Sequence, residues 1–327
     1  MEFERASLEI DGTVAILSMN HPEVLNAVSA EMLEGMTAAL DTLAKASPAI
    51  RCLVITGAGR AFSTGANLQG RGNGPLPRGA GYALETQYHP FLRRLRELPY
   101  PLVTAVNGPA AGAGMSLALM GDLVLCARSA YFLQAFRRIG LVPDCGSTWL
   151  LPRLIGRARA IELSLMGERL PGETALAWGL VNRVFDDAAL MGEARRLAHD
   201  LAAGPTVALG LIRRLYWESP ENSFEQQLDL ECRTQRAAGA SEDFKEGVKA
   251  FLESARPTSP ACDRSPRIRS RMTAAGASAT LRATARARRS PGRRRHSSPS
   301  ASRLHGSSDD GLAAGQRSAM TQPRAKC

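Results

Sequence analysis

The stretch PLVTAVNGPAAGAGMSLALMGDLVLCA, residues 101–127, contains the alternation of elements that decides the fold. It is the most apolar part of the chain, yet Asn107, Pro109 and Asp122 interrupt it, so it does not read as a membrane-spanning helix. Its β-branched ends and small-residue centre predict a strand, a Gly-rich loop, a helix and a second strand in turn. This order is typical of an α/β protein.

The same alternation extends outward from this stretch in both directions. Short apolar, β-branched runs predict strands at 13–19, 51–56, 102–107, 122–127 and 181–185. Apolar residues at helical spacing predict helices at 29–46, 83–98 and 115–121. After residue 187 the strands stop, and three helical stretches follow up to about residue 254. The sequence therefore predicts an α/β core over residues 1–200 and a C-terminal helical region over residues 201–256.

Charge separates the last part of the chain from the rest. Residues 257–327 hold 15 of the 41 basic residues but 3 of the 31 acidic ones, which leaves 26 basic against 28 acidic residues before them. This segment has almost no large apolar residue to bury and is predicted to be disordered. Arg-rich segments can bind nucleic acid or membranes, but no aromatic residue interleaves these arginines. The ratio of 14 arginines to one lysine is typical of out-of-frame translation, so we expect neither partner.

The chain start argues against a secreted protein, and the cysteines argue against a metal site or a disulfide framework. MEFERASLEIDG lacks a cationic leader followed by an apolar stretch, so we expect no secretory signal and a cytoplasmic location. Six cysteines, at 52, 126, 145, 232, 262 and 327, show neither CxxC nor Cys/His ligand spacing. We therefore expect no metal site and no disulfide framework, and we interpret the cysteines as small buried hydrophobic residues.

Two Gly-rich loops follow predicted strands and offer backbone amides to a ligand. GAGRAFSTGANLQG (57–70) and NGPAAGAGMSLAL (107–119) lack the GxGxxG pattern of a dinucleotide-binding site. Small side chains let a ligand approach the backbone, and two amides that converge on one oxygen form an oxyanion hole. Tight packing of the loops is the other interpretation, and spacing alone leaves both open.

Four ordered motifs resemble the successive signatures of the crotonase superfamily, the enoyl-CoA hydratases and isomerases. They are MNHPEVLNAV (19–28), GAGRAFSTGANL (57–68), the stretch at 101–127 and GLVPDCGSTWLLPRLIGRARAIELSLMGERLPGETALAWGLVNRV (140–184). The resemblance covers nearly all of residues 1–256. It implies a spiral of ββα units with a C-terminal helical trimerisation region, and an acyl-CoA thioester as substrate. It further implies a homotrimer or dimer of trimers, with no cofactor besides the coenzyme A of the substrate.

On the matching positions, the resemblance implies an oxyanion hole made by the backbone amides of Ala66 and Ala113. Both donors belong to the main chain, so their side chains need only be small. The substrate-binding positions implied in the same way are Leu25, Ala61, Ser63, Leu68, Gly112 and Phe136. The two Gly-rich loops therefore hold most of the implied site.

The departures from the family pattern concern acids and bases. Hydratases of the family use two glutamates, and the matching positions here are Ser116 and Phe136, neither of which is a general acid or base at neutral pH. Asp144 occupies the position where the family's isomerases carry a single carboxylate. The resemblance therefore implies an isomerase that moves one proton on an enoyl-CoA or epoxyphenylacetyl-CoA thioester. Asn67 stands where the family more often has an aspartate.

Asp144 has two interpretations from its surroundings in sequence. Beside Pro143, Phe136 and Trp149, burial would raise the pKa of Asp144 and make it a better base. Its place before a Gly-Ser-Thr turn is also typical of a helix N-cap, and the two roles can coexist.

Three alternatives to the isomerase remain open from the sequence. A hydratase would use water activated by Asp144 alone. An aryl-CoA dehalogenase would pair Asp144 as nucleophile with His89, although Phe136 stands where a tryptophan is expected in those enzymes. A non-catalytic homologue would bind CoA, or RNA through the Arg-rich segment.

Overall fold

The computed structural model describes residues 1–46, 49–68 and 81–254, all of which belong to one compact unit that spans Met1–Arg267. The segment 257–327, predicted to be disordered, lies outside the described residues. Within the described part of the chain, no helix is both long and apolar enough to cross a membrane.

A seven-stranded sheet forms the centre of this unit. Its strands, in spatial order, are β1 (Glu2–Phe3), β2 (Ala6–Asp11), β3 (Val14–Met19), β4 (Cys52–Gly57), β5 (Leu102–Val106), β7 (Leu123–Ala127) and β10 (Arg183–Phe185). The first three strands pair antiparallel, and the pairs from β3 onward are parallel. Strands β4 and β5 are buried along their whole length, as expected for parallel strands covered on both faces.

A second, three-stranded sheet lies at the end of the Gly-rich loop that follows β5. It consists of β6 (Ala110–Ala111), β8 (Tyr131–Leu133) and β9 (Arg169–Pro171). β6 pairs parallel with β8, and β8 pairs antiparallel with β9. This small sheet fixes the loop from which the helix of residues 113–118 begins.

Helices cover the sheets and form the C-terminal region. They are α1 (Ala30–Leu43), α2 (Gly81–Ala83), α3 (His89–Arg96), α4 (Ala113–Ala118), α5 (Ser147–Ile155), α6 (Arg157–Met166), α7 (Gly172–Trp178), α8 (Leu190–Ala203), α9 (Thr206–Glu218), α10 (Phe224–Gly239) and α11 (Glu242–Leu252). A π turn (Leu84–Tyr88) joins α2 to α3, and 3-10 turns lie at Pro22–Val24, Phe136–Ile139 and Ser219–Glu221.

The predicted elements are present, with differences at the edges. All five predicted strands are confirmed as β3, β4, β5, β7 and β10. β2 was not predicted, because its second half is exposed and carries Glu9 and Asp11. The last predicted helical stretch is split into α10 and α11, because the Ser241 hydroxyl accepts from Phe244 N at 3.1 Å and caps a new helix.

An ion pair between a buried arginine and a partly exposed aspartate ties the C-terminal helices to the sheet. Arg213 Nε donates to Asp122 Oδ2 at 2.6 Å, and the same oxygen accepts from Leu102 N at 2.8 Å. The other guanidinium nitrogens donate to carbonyl oxygens at the end of α3, including Arg96 O at 2.6 Å. Burial raises the pKa of Asp122, and the Arg213 charge opposes this. Asp122 therefore has a structural role, in holding α9 and the end of α3 to β5.

Candidate active site

The two Gly-rich loops meet at one edge of the large sheet. β4 and β5 are parallel neighbours in which Val54 pairs with Val103, so the loops after their carboxyl ends leave from the same edge. One loop runs from Gly57 to Leu68, and the other leads from Val106 into α4. In parallel sheets this edge is the usual place for a ligand.

The first loop contains an extended segment, residues 61–66, whose inner side pairs with the second loop. Ser63 N donates to Pro109 O at 3.0 Å, and Ser63 O accepts from Ala111 N at 2.9 Å. These two bonds fix the register between the loops. They place the residues after Ser63 beside the residues after Ala111.

The outer side of the same segment pairs with Val28. Val28 N donates to Gly65 O at 2.7 Å, and Val28 O accepts from Asn67 N at 2.8 Å. Backbone groups alternate in direction along an extended segment. The amide of Ala66, between these two bonds, therefore points away from Val28.

Ala113 is the first residue of α4, where a helix has no internal acceptor for the amide. The preceding Gly112 has φ of 52° and ψ of −127°, which favours glycine. Gly112 N donates to Leu133 O at 2.9 Å, so the second sheet fixes the start of the helix. The Ala113 amide is therefore fixed in position and has no hydrogen-bond acceptor within α4.

Gly65 allows the two loops to approach closely at these amides. A Cβ at this glycine would lie 2.7 Å from Ala111 O and 3.3 Å from Ala113 N, and its φ of +90° is unfavourable for other residues. Neither Ala66 nor Ala113 donates its amide to any group that the structure describes. Two free donors on adjacent, rigid backbone segments are what an oxyanion hole requires, and the catalytic assignment itself stays a prediction.

The Asp144 side chain does not cap the following helix. α5 begins at Ser147, its N-cap residue is Gly146, and no side chain accepts from its first amides. The main-chain oxygen of Asp144 accepts instead, from Ser147 N at 3.0 Å and from Ser147 Oγ at 2.9 Å. The helix-cap interpretation is therefore wrong, and the carboxylate is left for other contacts.

The carboxylate of Asp144 has one oxygen shielded from solvent. This Oδ1 is buried and has no hydrogen-bond partner among the described residues. Burial raises the pKa of Asp144, whereas the Cys145 thiol and the charge of His89 lower it. The direction expected from the sequence is confirmed, and the structure brings His89 within electrostatic reach of Asp144.

The cysteines of the described part mostly match the expectation of buried residues. Cys52, Cys126 and Cys145 are buried, and burial raises the thiol pKa in each. Cys232 is exposed on α10, so the expectation was wrong for that residue. Within residues 1–46, 49–68 and 81–254, no cluster of three His, Cys, Asp or Glu side chains is suited to a metal ion.

The predicted substrate-binding residues differ in their exposure to solvent. Phe136 is 6% exposed, and its Cζ lies 3.8 Å from the place that a Cβ of Gly112 would take. Ala61 and Ser63 are fully buried inside the extended segment. Leu68 is 49% exposed, at the end of the described part of its loop. Phe136 therefore stands next to the residue that precedes the Ala113 amide.

Asn26 organises the loop around Leu25, and the sequence analysis missed it. Its Nδ2 donates to Ala58 O and to Ala61 O at 2.8 Å each, and its Oδ1 accepts from His21 N at 2.9 Å. Leu25 and Asn26 have φ of 55° and 54°, the left-handed region that asparagine tolerates better than most residues. The sequence signal that could have identified Asn26 is an asparagine within a turn sequence.

Trp149 serves the packing of helices. Its ring stacks on Trp217 with centroids 5.7 Å apart and planes 13° apart. Arg153 lies over Trp149 at 4.1 Å, and Arg96 lies over Trp217 at 5.5 Å. The stack connects α5, which follows Asp144, to α9 and α3.

Comparison with known proteins agrees with this architecture. The family described as enoyl-CoA hydratase/isomerase matches residues 9–259. The chain is similar to 1,2-epoxyphenylacetyl-CoA isomerase of Escherichia coli (strain K12), with 47% identity over 251 residues that cover 76% of this chain and 95% of that protein. It is also similar to 4-chlorobenzoyl coenzyme A dehalogenase-2 of Arthrobacter sp, with 32% identity over 252 residues that cover 75% of this chain and 89% of that protein.

A solved structure has the same fold. The enoyl-CoA hydratase from Polaromonas sp. JS666 superposes with a TM-score of 0.71 at 35% identity, and the match covers 78% of this chain and 99% of that chain. The crotonase-type fold implied by the sequence is thereby confirmed. The relatives carry isomerase, dehalogenase and hydratase names. They therefore establish the family but do not determine which of these reactions this chain catalyses. With its sequence and its fold in agreement, this chain belongs to the enoyl-CoA hydratase/isomerase family of enzymes.

Proposed function

We propose that this protein is an acyl-CoA isomerase in which Asp144 moves one proton along the acyl chain. The observation that carries the proposal is the buried, unpartnered Oδ1 of Asp144. The two positions where hydratases of the family place glutamates hold Ser116 and Phe136 instead. A hydroxyl and a phenyl ring do not exchange protons readily near neutral pH, so Asp144 is the carboxylate left to act as base.

The proposed reaction uses the two amides and the carboxylate together. The thioester oxygen binds between the amides of Ala66 and Ala113, which stabilise the enolate formed when Asp144 takes a proton from carbon 2. The protonated carboxyl then returns the proton to carbon 4, and the double bond moves from carbons 3 and 4 into conjugation at carbons 2 and 3. The substrate is neither oxidised nor reduced, so no redox cofactor is needed. Coenzyme A takes part only as the thioester group of the substrate.

An epoxyphenylacetyl thioester is the second substrate class that we propose. The 47% identity to the Escherichia coli 1,2-epoxyphenylacetyl-CoA isomerase supports it. The same amides would hold the thioester oxygen while Asp144 assists the opening of the epoxide-bearing ring to its oxepin isomer.

A dehalogenase-type reaction is a second candidate, because His89 acts electrostatically on Asp144. In that reaction Asp144 would displace halide from an aryl ring, and water activated by His89 would release the product. The similarity to the Arthrobacter dehalogenase favours testing it. Against it, Phe136 lacks the indole expected at that position.

The test uses the purified full-length protein with three substrates in parallel. We expect trans-3-enoyl-CoA to gain the ultraviolet absorbance of a conjugated thioester rapidly, and crotonyl-CoA to add little water. Rapid loss of the crotonyl-CoA absorbance would instead establish a hydratase. Chloride release from 4-chlorobenzoyl-CoA, without isomerisation, would establish the dehalogenase.

The isomerase activity is expected to fall at low pH along a limb set by Asp144. Only the ionised carboxylate takes up a proton, and burial raises the pKa of Asp144, so the limb should lie above the range of an ordinary aspartate. Protonated His89 lowers the pKa of Asp144, hence His89→Gln should move the limb to higher pH. Profiles of kcat/KM against pH for both proteins check this. A limb in the ordinary aspartate range, or one that the substitution moves downward, would contradict it.

We also propose that the protein assembles as a homotrimer or a dimer of trimers. The C-terminal helices α9 to α11 expose several large apolar side chains, Ile212, Tyr216, Phe224, Leu228, Phe244, Val248 and Phe251. An accumulation of exposed large apolar side chains in one region is typical of a protein interface. Sedimentation equilibrium should give three or six times the chain mass of 35.0 kDa, and a single chain mass would reject the proposal.

A further inference from the structure

Ser116 makes a contact that connects the two halves of the candidate site. It lies on α4, the helix whose first residue is Ala113, and it is fully buried. Its hydroxyl donates to the main-chain oxygen of Asp144 at 3.1 Å. Its own helix offers a second acceptor, Gly112 O, at the longer distance of 3.4 Å. A helical serine satisfied only by its own turn would favour that acceptor.

The main-chain oxygen of Asp144 is held from two sides. Ser147 approaches it from α5 with both its amide and its hydroxyl, at 3.0 Å and 2.9 Å. Ser147 is fully buried, as Ser116 is, so water does not compete for these bonds. The carbonyl is thus fixed between α4 and α5.

The chain needs this support because its backbone is unfavourable at the next residue. Cys145 has φ of 51°, and Gly146 has φ of 81°, so two successive left-handed residues turn the chain from Asp144 into α5. A non-glycine residue in this region is maintained only when its surroundings hold it there. One carboxylate oxygen of Asp144, Oδ1, has no hydrogen-bond partner among the described residues, so the bonds to the main-chain oxygen hold this turn.

We propose that Ser116 is a positioning residue, which holds the Asp144 carboxylate at a fixed distance from the oxyanion amide of Ala113. The Ser116 hydroxyl and the Ala113 amide belong to the same helix, α4. The bond from Ser116 to the Asp144 carbonyl therefore fixes Asp144 relative to that amide. This role rests on the proposed function, because it assumes that Asp144 and Ala113 act on one substrate. Ser116 itself does not act as acid or base.

The test compares Ser116→Ala with a matched variant, Thr104→Val. Thr104 is also fully buried, and its hydroxyl donates to Ala118 O at 2.7 Å, at the other end of α4. We expect Ser116→Ala to lower kcat for isomerisation on the order of ten- to a hundredfold with KM changed less than about twofold, because small displacements of a reacting group have effects of this size. Thr104→Val should lower the melting temperature at least as much and leave kcat within about twofold.

A double substitution shows whether Ser116 acts through Asp144. In the Asp144→Asn background, Ser116→Ala should cause no further loss of the residual rate, since the group that it positions is already inactive. An equal loss in both backgrounds would overturn the proposal. A kcat for Ser116→Ala within twofold of the unsubstituted protein would overturn it as well.

A crystal structure of the Ser116→Ala protein separates this proposal from the proposed function. We expect the Asp144 main chain to shift by about 0.5 Å or more relative to Ala113. An unchanged Asp144 would overturn the positioning role whatever reaction the protein catalyses. Absence of isomerisation in the unsubstituted protein, with a shifted Asp144 in the variant, would overturn only the isomerase.

Discussion

Asp144→Asn is expected to lower kcat for isomerisation on the order of 10²- to 10⁴-fold, the usual contribution of a general base. The amide has nearly the same shape as the carboxylate but does not take up a proton. The substitution should not lower the melting temperature, because burial disfavours the charged form of Asp144 in the folded protein and the neutral amide removes that penalty. A large loss of rate with stability retained would identify Asp144 as the base.

Asp200→Asn is the matched control for this substitution. Asp200 is exposed on α8, so the same chemical change there should leave kcat within about twofold. If the Asp144→Asn variant kept a rate within tenfold of the unsubstituted enzyme, the assignment of Asp144 as the base would be contradicted.

Loss of the Ala113 amide is expected to lower kcat on the order of 10²- to 10³-fold, or about 2.7 to 4 kcal/mol of transition-state stabilisation. Lactic acid incorporated in place of Ala113 turns the amide into an ester and removes the donor without adding an atom to the site. The helix should persist, because the first amide of α4 has no acceptor within it. KM should change little, since the bond is strongest to the enolate oxygen.

The same replacement at Ala30 provides the control. Ala30 is the first residue of α1, so its amide occupies the same helical position as that of Ala113. The ester at Ala30 should leave kcat unchanged. Equal effects at the two positions would show that the loss at Ala113 comes from the helix and not from an oxyanion hole.

The strands of the parallel part of the sheet could be predicted because burial on both faces leaves a continuous apolar run. VAILSM of β3 and CLVITG of β4 have this form. β1 and the short strands of the second sheet could not be predicted, because two or three residues are too few to show a period. Their positions depend on pairing between residues distant in sequence.

The close approach of the two Gly-rich loops could be predicted because it requires small residues, and Gly65 and Gly112 are visible in the sequence. The role of the turn after Asp144 could not. Aspartate before Gly-Ser-Thr predicts a side-chain cap, but the left-handed Cys145 brings the Asp144 main-chain oxygen to Ser147 instead. Tertiary packing decides whether the side chain or the main-chain oxygen of Asp144 accepts the bond.

The central claim is that one carboxylate moves one proton between two carbons, and a labelled substrate tests it most directly. A trans-3-enoyl-CoA deuterated at carbon 2 is converted by the full-length protein, and the product is analysed by mass spectrometry and NMR in the first turnovers. Because Asp144 Oδ1 is buried, we expect a measurable fraction of the deuterium to reappear at carbon 4. A product that carries no deuterium at carbon 4 at any time would contradict transfer by a single shielded carboxylate.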